Sequence, residues 1–286
     1  MTIHEANLRL LFQLYEKYDD HEAANIADLV MENVTGWKRI DRVINKEVKL
    51  SSLMEDRFNN YLQELSTHKP VQYVLHEAWF AGMKLYVNEH VLIPRPETEE
   101  LADIAIKESL NESIRVLDIG TGSGCIAIAI KRKLPGAGVY AIDVSEEALK
   151  VAEKNAIDNN VTISFILSDI LDEKKWTGFP SFDLIVSNPP YIPITEKNKM
   201  HDNVTKFEPH LALFVPNEEP LIFYKAIARF AKKKLSPGGK IFVELHEDFA
   251  TQVAEIFNSF QTEIIKDMQG KDRILKAVTA HPTYQP

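Results

Sequence analysis

The chain has 286 residues, which is long for one compact domain and favours two. Hydrophobic residues make up 45% and charged residues 26%, and these ordinary globular proportions exclude a disordered or fibrous chain. The formal net charge of -9 argues against the overall positive field that concentrates a protein on nucleic acid, so direct nucleic-acid binding is not expected.

The first 70 residues contain apolar side chains that recur at helical spacing, with breaks at Gly36 and at Ser51-Ser52. The sets with this spacing are Leu8, Leu11, Phe12 and Tyr15; Ile26, Leu29 and Val30; Ile40, Val43 and Ile44; and Phe58, Tyr61, Leu62 and Leu65. We therefore predict a small all-helical N-terminal domain over residues 1–70.

The next segment changes in composition. Residues 71–88 are richer in aromatic and β-branched side chains, and Pro94 and Pro96 follow them. This composition is typical of extended structure, so residues 71–96 are predicted to form a short hairpin and an ordered linker.

From residue 97 to residue 286, short apolar runs alternate with helical ones, as in a parallel sheet covered by helices. The predicted strands cover 114–119, 139–143, 163–167, 182–187, 240–245, 262–266 and 273–278. The predicted helices cover 124–133, 145–159, 221–235 and 247–257, with Ser145 as an N-cap. The fold class is therefore α/β, with seven strands in one mostly parallel, Rossmann-like sheet.

A glycine-rich turn joins the first of these strands to the following helix. Its residues are Gly120, Thr121, Gly122, Ser123 and Gly124. Glycines allow a ligand to lie against the main chain at the carboxyl end of a strand, although a tight turn without a ligand is an alternative. The spacing differs from the G-x-G-x-x-G of dinucleotide sites, and the Lys-Ser or Lys-Thr of a P-loop is missing. The turn therefore predicts a cofactor other than NAD or a nucleoside triphosphate.

Acidic residues end the next two predicted strands. Asp143 can accept hydrogen bonds from both hydroxyls of a ribose, although it could also be a helix N-terminal acid. Asp169 could contact an adenine amino group, with Ile170 against the ring face, or could simply cap a turn. No H-E-x-x-H pattern or other ligand spacing occurs among the nine histidines, so no metal site is predicted.

The fourth strand of this region runs into Asn188-Pro189-Pro190-Tyr191, the strongest local signal in the chain. Two prolines remove backbone donors and stiffen the chain, which leaves the Pro189 carbonyl as a directed acceptor. The Asn188 side-chain oxygen is a second acceptor, so together they can receive both hydrogens of a planar NH2 group. Tyr191 can pack on the flat substrate. A turn without a function is the alternative.

In this order, the glycine-rich turn, Asp143 and Asn188-Pro189-Pro190-Tyr191 resemble the class I S-adenosylmethionine-dependent methyltransferases that act on exocyclic or amide nitrogens. Residues 92–99, the helical N-terminal region and Phe207-Glu208-Pro209 followed by residues 211–213 resemble one branch, the peptide chain release factor glutamine N5-methyltransferases. The sequence departs from the usual pattern of this branch at 215–219 and at 246–248.

That resemblance implies S-adenosylmethionine as cofactor, S-adenosylhomocysteine as product and class 1 peptide chain release factors as partners. The expected substrate is the side-chain amide of the glutamine in their Gly-Gly-Gln motif. Residues 120–124 and Asp143 would hold the cofactor together with Asn188, and Ile170 would flank the adenine. The motif from Asn188 to Tyr191 would hold the glutamine, with Asn188, Pro189 and Tyr191 as the catalytic positions. The helical domain would select the protein substrate, because all cofactor motifs begin at Gly120.

Two other functions remain open. A DNA or RNA methyltransferase acting on adenine or guanine would meet the same two hydrogens on an exocyclic amino group, but the negative charge argues against it. A non-catalytic cofactor-binding partner of the translation machinery would not need an intact Asn188-Pro189-Pro190-Tyr191.

The sequence also bears on compartment. The only cysteine, Cys125, cannot form an internal disulfide, which suits a reducing environment. The N-terminus is polar and acidic, and no uninterrupted apolar run approaches membrane-spanning length. We therefore expect a cytoplasmic protein that does not associate with a membrane.

Overall fold

The computed structural model describes residues 1–109 and 113–279. The chain forms two compact units. The first comprises Met1–Glu77 with His201–Phe207, and the second comprises Ala78–Met200 with the residues from Glu208 onward. The division therefore falls a few residues beyond position 70, and the roles predicted for the two parts stay predictions.

The first unit is helical, as predicted for the N-terminal region. Its helices are α1 (Ile3–Tyr15), α2 (Asp20–Thr35), α3 (Arg39–Ile44), α4 (Ser52–Leu65) and α5 (Val71–Leu75). A capping box starts α1, because the Thr2 hydroxyl accepts from the backbone N–H of Glu5 while the Glu5 carboxylate accepts from that of Thr2. The end of α2 is Gly36, which has a φ of 70°.

Two of the apolar sets that recur at helical spacing are mostly exposed in this unit. The core of α1 consists of Ile3, Ala6, Leu10 and Leu14, whereas Phe12 is 74% exposed. The apolar side chains of α3, namely Ile40, Val43 and Ile44, are also exposed. Helical spacing identifies a helix, but it does not decide which of two apolar stripes packs against a neighbour.

The segment after residue 70 begins as a helix and not as a strand. Val71 and Val74, three positions apart on α5, are buried in the helical core of the first unit. This packing outweighs the strand preference of their β-branched side chains. The predicted hairpin is confined to β1 (Ala78–Phe80) and β2 (Met83–Leu85), which pair antiparallel in the second unit.

The second unit contains the α/β domain. Its remaining strands are β3 (Arg115–Ile119), β4 (Gly138–Asp143), β5 (Ser164–Leu167), β6 (Phe182–Ser187), β7 (Ile192–Pro193), β8 (Phe214–Val215), β9 (Leu235–Glu244), β10 (Gln261–Lys266) and β11 (Asp272–Val278). Its helices are α6 (Pro96–Lys107), α7 (Cys125–Lys133), α8 (Glu146–Asp158), α10 (His210–Leu213), α11 (Ile222–Lys234) and α12 (Ala250–Ile256). The remaining helix, α9 (Asp202–Phe207), is part of the first unit, together with α1 to α5.

Seven strands form one sheet in the order β10-β11-β9-β6-β3-β4-β5. The strands from β9 to β5 in this order are parallel, while β11 is antiparallel to both of its neighbours. The predicted seven-stranded, mostly parallel sheet is therefore confirmed. Most boundaries agree within one residue, but β9 begins at Leu235, and the helix predicted over 247–257 starts with a 3-10 turn at Glu247–Phe249.

Helices cover both faces of the sheet, and alternate residues of each strand enter two separate cores. Val116, Val186 and Phe242 pack into one core, while the neighbouring Leu117 and Ile185 pack into the other. Such strands read as nearly continuous apolar runs. The carboxyl ends of β3, β4, β6 and β9 meet at one edge. Among the described residues, no helix has both the length and the apolar character needed to cross a membrane.

Candidate active site

A pocket opens at the carboxyl ends of β3, β4 and β6, within the second unit. It brings together nine residues that the sequence predicts for the site, namely Gly120, Thr121, Gly122, Ser123, Asp143, Ile170, Asn188, Pro189 and Pro190. Gly124 and Tyr191 are the two predicted positions outside its described lining. The motifs that lie far apart in sequence therefore meet around one cavity.

The glycine-rich turn contributes in two different ways. Gly122 has a φ of 54°, and a Cβ built there would meet no atom within 4 Å, so its side of the turn is open for a ligand. A Cβ at Gly124 would lie 3.1 Å from the Cβ of Ala152 and 3.1 Å from Cδ1 of Ile128. Gly124 therefore lets α7 and α8 pack closely, which explains why it lies outside the pocket.

Asp143 lies at the end of β4 and faces the turn. Its carboxylate accepts from the backbone N–H of Gly122 at 2.9 Å and from that of Ser145 at 2.9 Å. Burial raises the pKa of Asp143, and these hydrogen bonds oppose the rise. Ile170 is buried in the wall, and Asp169, which also lines the pocket, accepts from the backbone N–H of Leu171 at 2.8 Å.

Asn188 is held in place by a residue of α6, the helix that precedes β3 in the chain. The Ser187 hydroxyl donates to the carbonyl of Ile119 at 2.7 Å, which fixes the end of β6 beside the end of β3. The next residue, Asn188, donates from Nδ2 to Oγ1 of Thr98 on α6 at 2.8 Å. The Asn188 side chain therefore has a defined position at the pocket.

Tyr191 turns toward the end of β9. Its hydroxyl donates to Oε1 of Glu244 at 3.1 Å, and its ring lies edge-on to that of His246 at a centroid distance of 5.9 Å. Burial raises the pKa of the Tyr191 hydroxyl, so this group stays protonated at neutral pH. The packing of Tyr191 on a flat substrate stays a prediction.

A buried carboxylate ties two walls of the pocket together. Glu208 forms an ion pair with Arg95 and accepts from the backbone N–H of Ile93 at 3.3 Å. Arg95 on one side and Pro209 on the other both line the pocket. The shape of the cavity therefore depends on Glu208.

Sequence reasoning missed three residues that organise the site, namely Thr98, Glu208 and Glu244. A signal was present for Glu244, because a carboxylate directly after the buried apolar run Ile241-Phe242-Val243 requires partners inside the protein. Thr98 and Glu208 lie in segments that carry the family resemblance, but the local sequence pattern does not reveal their partners.

Known proteins match this chain over most of its length. Residues 8–75 match the family model "PrmC N-terminal domain", and residues 102–207 match "Methyltransferase small domain". The release factor glutamine methyltransferase of Flavobacterium psychrophilum is 40% identical over 96% of this chain and 99% of its own length. That of Streptococcus pneumoniae is 37% identical over 93% of this chain and 97% of its own length.

The chain belongs to the release factor glutamine methyltransferase family. It is therefore a methyltransferase, and such enzymes generally take the methyl group from S-adenosylmethionine. A methyltransferase structure from Pyrococcus furiosus is similar in fold, with a TM-score of 0.52, 20% identity, and coverage of 80% of this chain and all of that chain.

Both departures from the release factor glutamine methyltransferase pattern lie near Tyr191 in the chain or in space. In the segment 215–219, Asn217 accepts from the backbone N–H of Thr195 at 3.1 Å. In the segment 246–248, the His246 ring accepts from the backbone N–H of Asp248 at 3.2 Å and packs against Phe249. Side-chain contacts therefore help to fix the local shape of both segments.

Proposed function

We propose that this chain transfers a methyl group from S-adenosylmethionine to the side-chain amide nitrogen, N5, of the glutamine in the Gly-Gly-Gln motif of class 1 peptide chain release factors. One observation carries the proposal: the glycine-rich turn, Asp143 and Asn188-Pro189 line a single pocket. A cofactor on one side and an amide on the other would then share this cavity. Since release factors act in translation, we expect the enzyme in the cytoplasm.

The glycine side of the pocket fits a nucleoside. The space beside Gly122 is open, and the Asp143 carboxylate can accept further hydrogen bonds, which suits the two hydroxyls of a ribose. Ile170 offers a buried apolar surface to the adenine. When bound, S-adenosylmethionine supplies an electrophilic methyl group on a positively charged sulfur.

The opposite side fits a planar amide. Asn188 and Pro189 both line the pocket, and their side-chain and backbone oxygens can accept the two hydrogens of one NH2 group. Amide nitrogen is a poor nucleophile because its lone pair is delocalised into the carbonyl. Acceptors on both hydrogens would aim the nitrogen at the methyl group and favour positive charge building on it. Orientation of this kind contributes on the order of 7 to 11 kcal/mol in well-aligned systems.

No base is needed before the transfer. The methylated nitrogen is strongly acidic and can lose its proton to water. Tyr191, which carries the hydroxyl of the motif, is kept protonated because burial raises its pKa. Its role is therefore one of position and not of proton removal.

The experiment offers radiolabelled S-adenosylmethionine to release factor, DNA and ribosomal RNA in parallel. We expect label only on the release factor. A release factor with alanine in place of the motif glutamine is the matched control and should remain unlabelled. Label on nucleic acid instead would support the base methyltransferase, and no label on any substrate would contradict the proposal.

A further inference from the structure

We propose that Glu244, acting through the Thr98 hydroxyl, fixes which end of the Asn188 amide faces the substrate, and so makes this site selective for an NH2 donor. The inference rests on the proposed function. Glu244 and Thr98 are positioning residues, because they act on the substrate through Asn188. Neither belongs to the motifs from which the site was predicted.

A continuous chain of hydrogen bonds joins these groups. Oε2 of Glu244 accepts from the Thr98 hydroxyl at 2.7 Å, and Oγ1 of Thr98 accepts from Nδ2 of Asn188 at 2.8 Å. The other carboxylate oxygen of Glu244 accepts from the Tyr191 hydroxyl at 3.1 Å. Thr98 is 3% exposed and Glu244 is 2% exposed, so water does not compete with the bond between them.

The fold places these residues together for a simple reason. Strands β6 and β9 are parallel neighbours with Ser187 opposite Val243, so Asn188 and Glu244 each follow at the same edge of the sheet. Helix α6 begins at Pro96 and brings Thr98 between them in its first turn. The bridging hydroxyl therefore comes from a rigid element.

The donor and acceptor order of these hydrogen bonds follows from the chemistry of each group. An ionised carboxylate only accepts, so the single hydroxyl hydrogen of Thr98 points to Glu244. The lone pairs of that hydroxyl then face Asn188, which must present its NH2 group to them. The Asn188 oxygen consequently points away from Thr98. A flipped amide would place two acceptors against each other in a buried setting and leave both without a donor.

The charges around Glu244 are consistent with an acceptor role. Burial raises the pKa of Glu244, whereas the hydrogen bonds from Thr98 and Tyr191 and the positive charge of Arg273 lower it. The nearby carboxylate of Glu97 acts in the opposite direction to Arg273. Burial is the largest of these effects on the pKa, and the two hydroxyl donors and the guanidinium oppose it by stabilising the ionised form.

This polarity sets a preference among substrates. The fixed Asn188 oxygen and the Pro189 carbonyl are both acceptors, so they favour the NH2 end of a glutamine. The carboxylate of a glutamate would bring lone pairs and negative charge against the same two oxygens. The hydrogen bonds that link Glu244, Thr98 and Asn188 therefore orient the Asn188 amide, and this orientation disfavours a glutamate side chain as substrate.

Two substitutions at one position separate this role from packing. Thr98→Val keeps the side-chain shape and removes the hydroxyl, whereas Thr98→Ser keeps the hydroxyl and removes a methyl group. If the hydroxyl sets the Asn188 amide, the Val variant should lose roughly 10- to 100-fold in kcat, and Ser should restore most of it. KM for release factor and the affinity for S-adenosylmethionine should change by less than about threefold in both, because neither ligand contact is removed.

If the Val variant is active and the Ser variant is impaired, Thr98 acts through packing and the inference is overturned. Equal losses of kcat in the two variants would also overturn it. Thermal unfolding of each variant checks that it is folded. Should the Val variant fail to fold, Glu244→Met provides a second test, because it keeps a side chain of similar length, removes the acceptor and frees the Thr98 hydroxyl to donate to the Asn188 oxygen. Wild-type turnover on release factor, measured in the same series, tests the proposed function separately. An inactive wild type overturns both proposals, and an active one with an unchanged Met variant overturns only the role of Glu244.

Discussion

The backbone N–H of Gly122 donates a 2.9 Å hydrogen bond to Oδ2 of Asp143, which joins the glycine-rich turn to the end of β4. Oδ1 of the same carboxylate accepts from the backbone N–H of Ser145, at the start of α8. Each carboxylate oxygen has about two acceptor sites, so both can still receive a ligand hydroxyl. Asp143 therefore combines a structural bond with the capacity to bind a ribose.

Replacing Asp143 with alanine should weaken S-adenosylmethionine binding by roughly ten- to a hundredfold, because hydrogen bonds to a charged group contribute about 1.5 to 3 kcal/mol. The fold should remain, since Asp143 is only partly buried at a strand end. Asp143→Asn is the matched control, because it keeps one acceptor oxygen and should lose less affinity. Calorimetry measures both, and an unchanged affinity in the alanine variant would refute the assigned role.

Asn188→Ala should reduce turnover by roughly two to three orders of magnitude, by analogy with the loss of one preorganised donor from an oxyanion hole, at about 2.7 to 4 kcal/mol. Docking of release factor should change much less, because it is spread over a large surface whereas Asn188 meets one amide. Single-turnover kinetics, with cofactor affinity measured on the same variant, separate chemistry from binding. Turnover within a few-fold of wild type would show that Asn188 does not orient the nitrogen.

The first unit is predicted to select the protein substrate, and a shortened chain tests this. The chain should begin at Ala78, because a later start would remove Phe80, Met83 and Leu85 from the core of the second unit. We expect it to bind S-adenosylmethionine like the full chain but to methylate intact release factor more slowly. A short peptide carrying Gly-Gly-Gln is the control and should be methylated equally by both. Equal rates on intact release factor would rule out the recognition role.

Asp118, fully buried at the end of β3, should make stability depend on pH. Burial raises its pKa from 3.8 to about 7, although Oδ2 accepts from the Thr121 hydroxyl at 2.6 Å. The folded state thus holds this proton more tightly than the unfolded state, so the stability it contributes is present below pH 4 and is lost as the pH rises through 7.

Asp118→Asn removes that proton equilibrium. Urea unfolding without cofactor should show the free energy of unfolding of the Asn variant, relative to wild type, increasing by about 2 kcal/mol from pH 5 to pH 8. Other titrating groups cancel in this difference because both proteins carry them. A difference that stays constant with pH would mean that Asp118 does not titrate in this range.

Local patterns were enough to predict the strands of the sheet and the meeting of Asp143 with Asn188 at one pocket, because parallel strands share a carboxyl edge. They were not enough for contacts that depend on packing between distant segments. Thr98 and Glu244 are separated by 146 positions, and no spacing rule connects them. Similarly, the outward position of Phe12 depends on which face of α1 meets its neighbours.

The bond between Thr98 and Glu244 also affects how the protein acquires activity during its own synthesis. A nascent chain that has emerged only as far as Tyr191 already carries the glycine-rich turn, Asp143 and the substrate motif. It lacks the carboxylate that directs Thr98, and it lacks β9, the strand beside β6. Chains that end prematurely before Glu244 would therefore carry the recognisable motifs of the family without a correctly oriented amide.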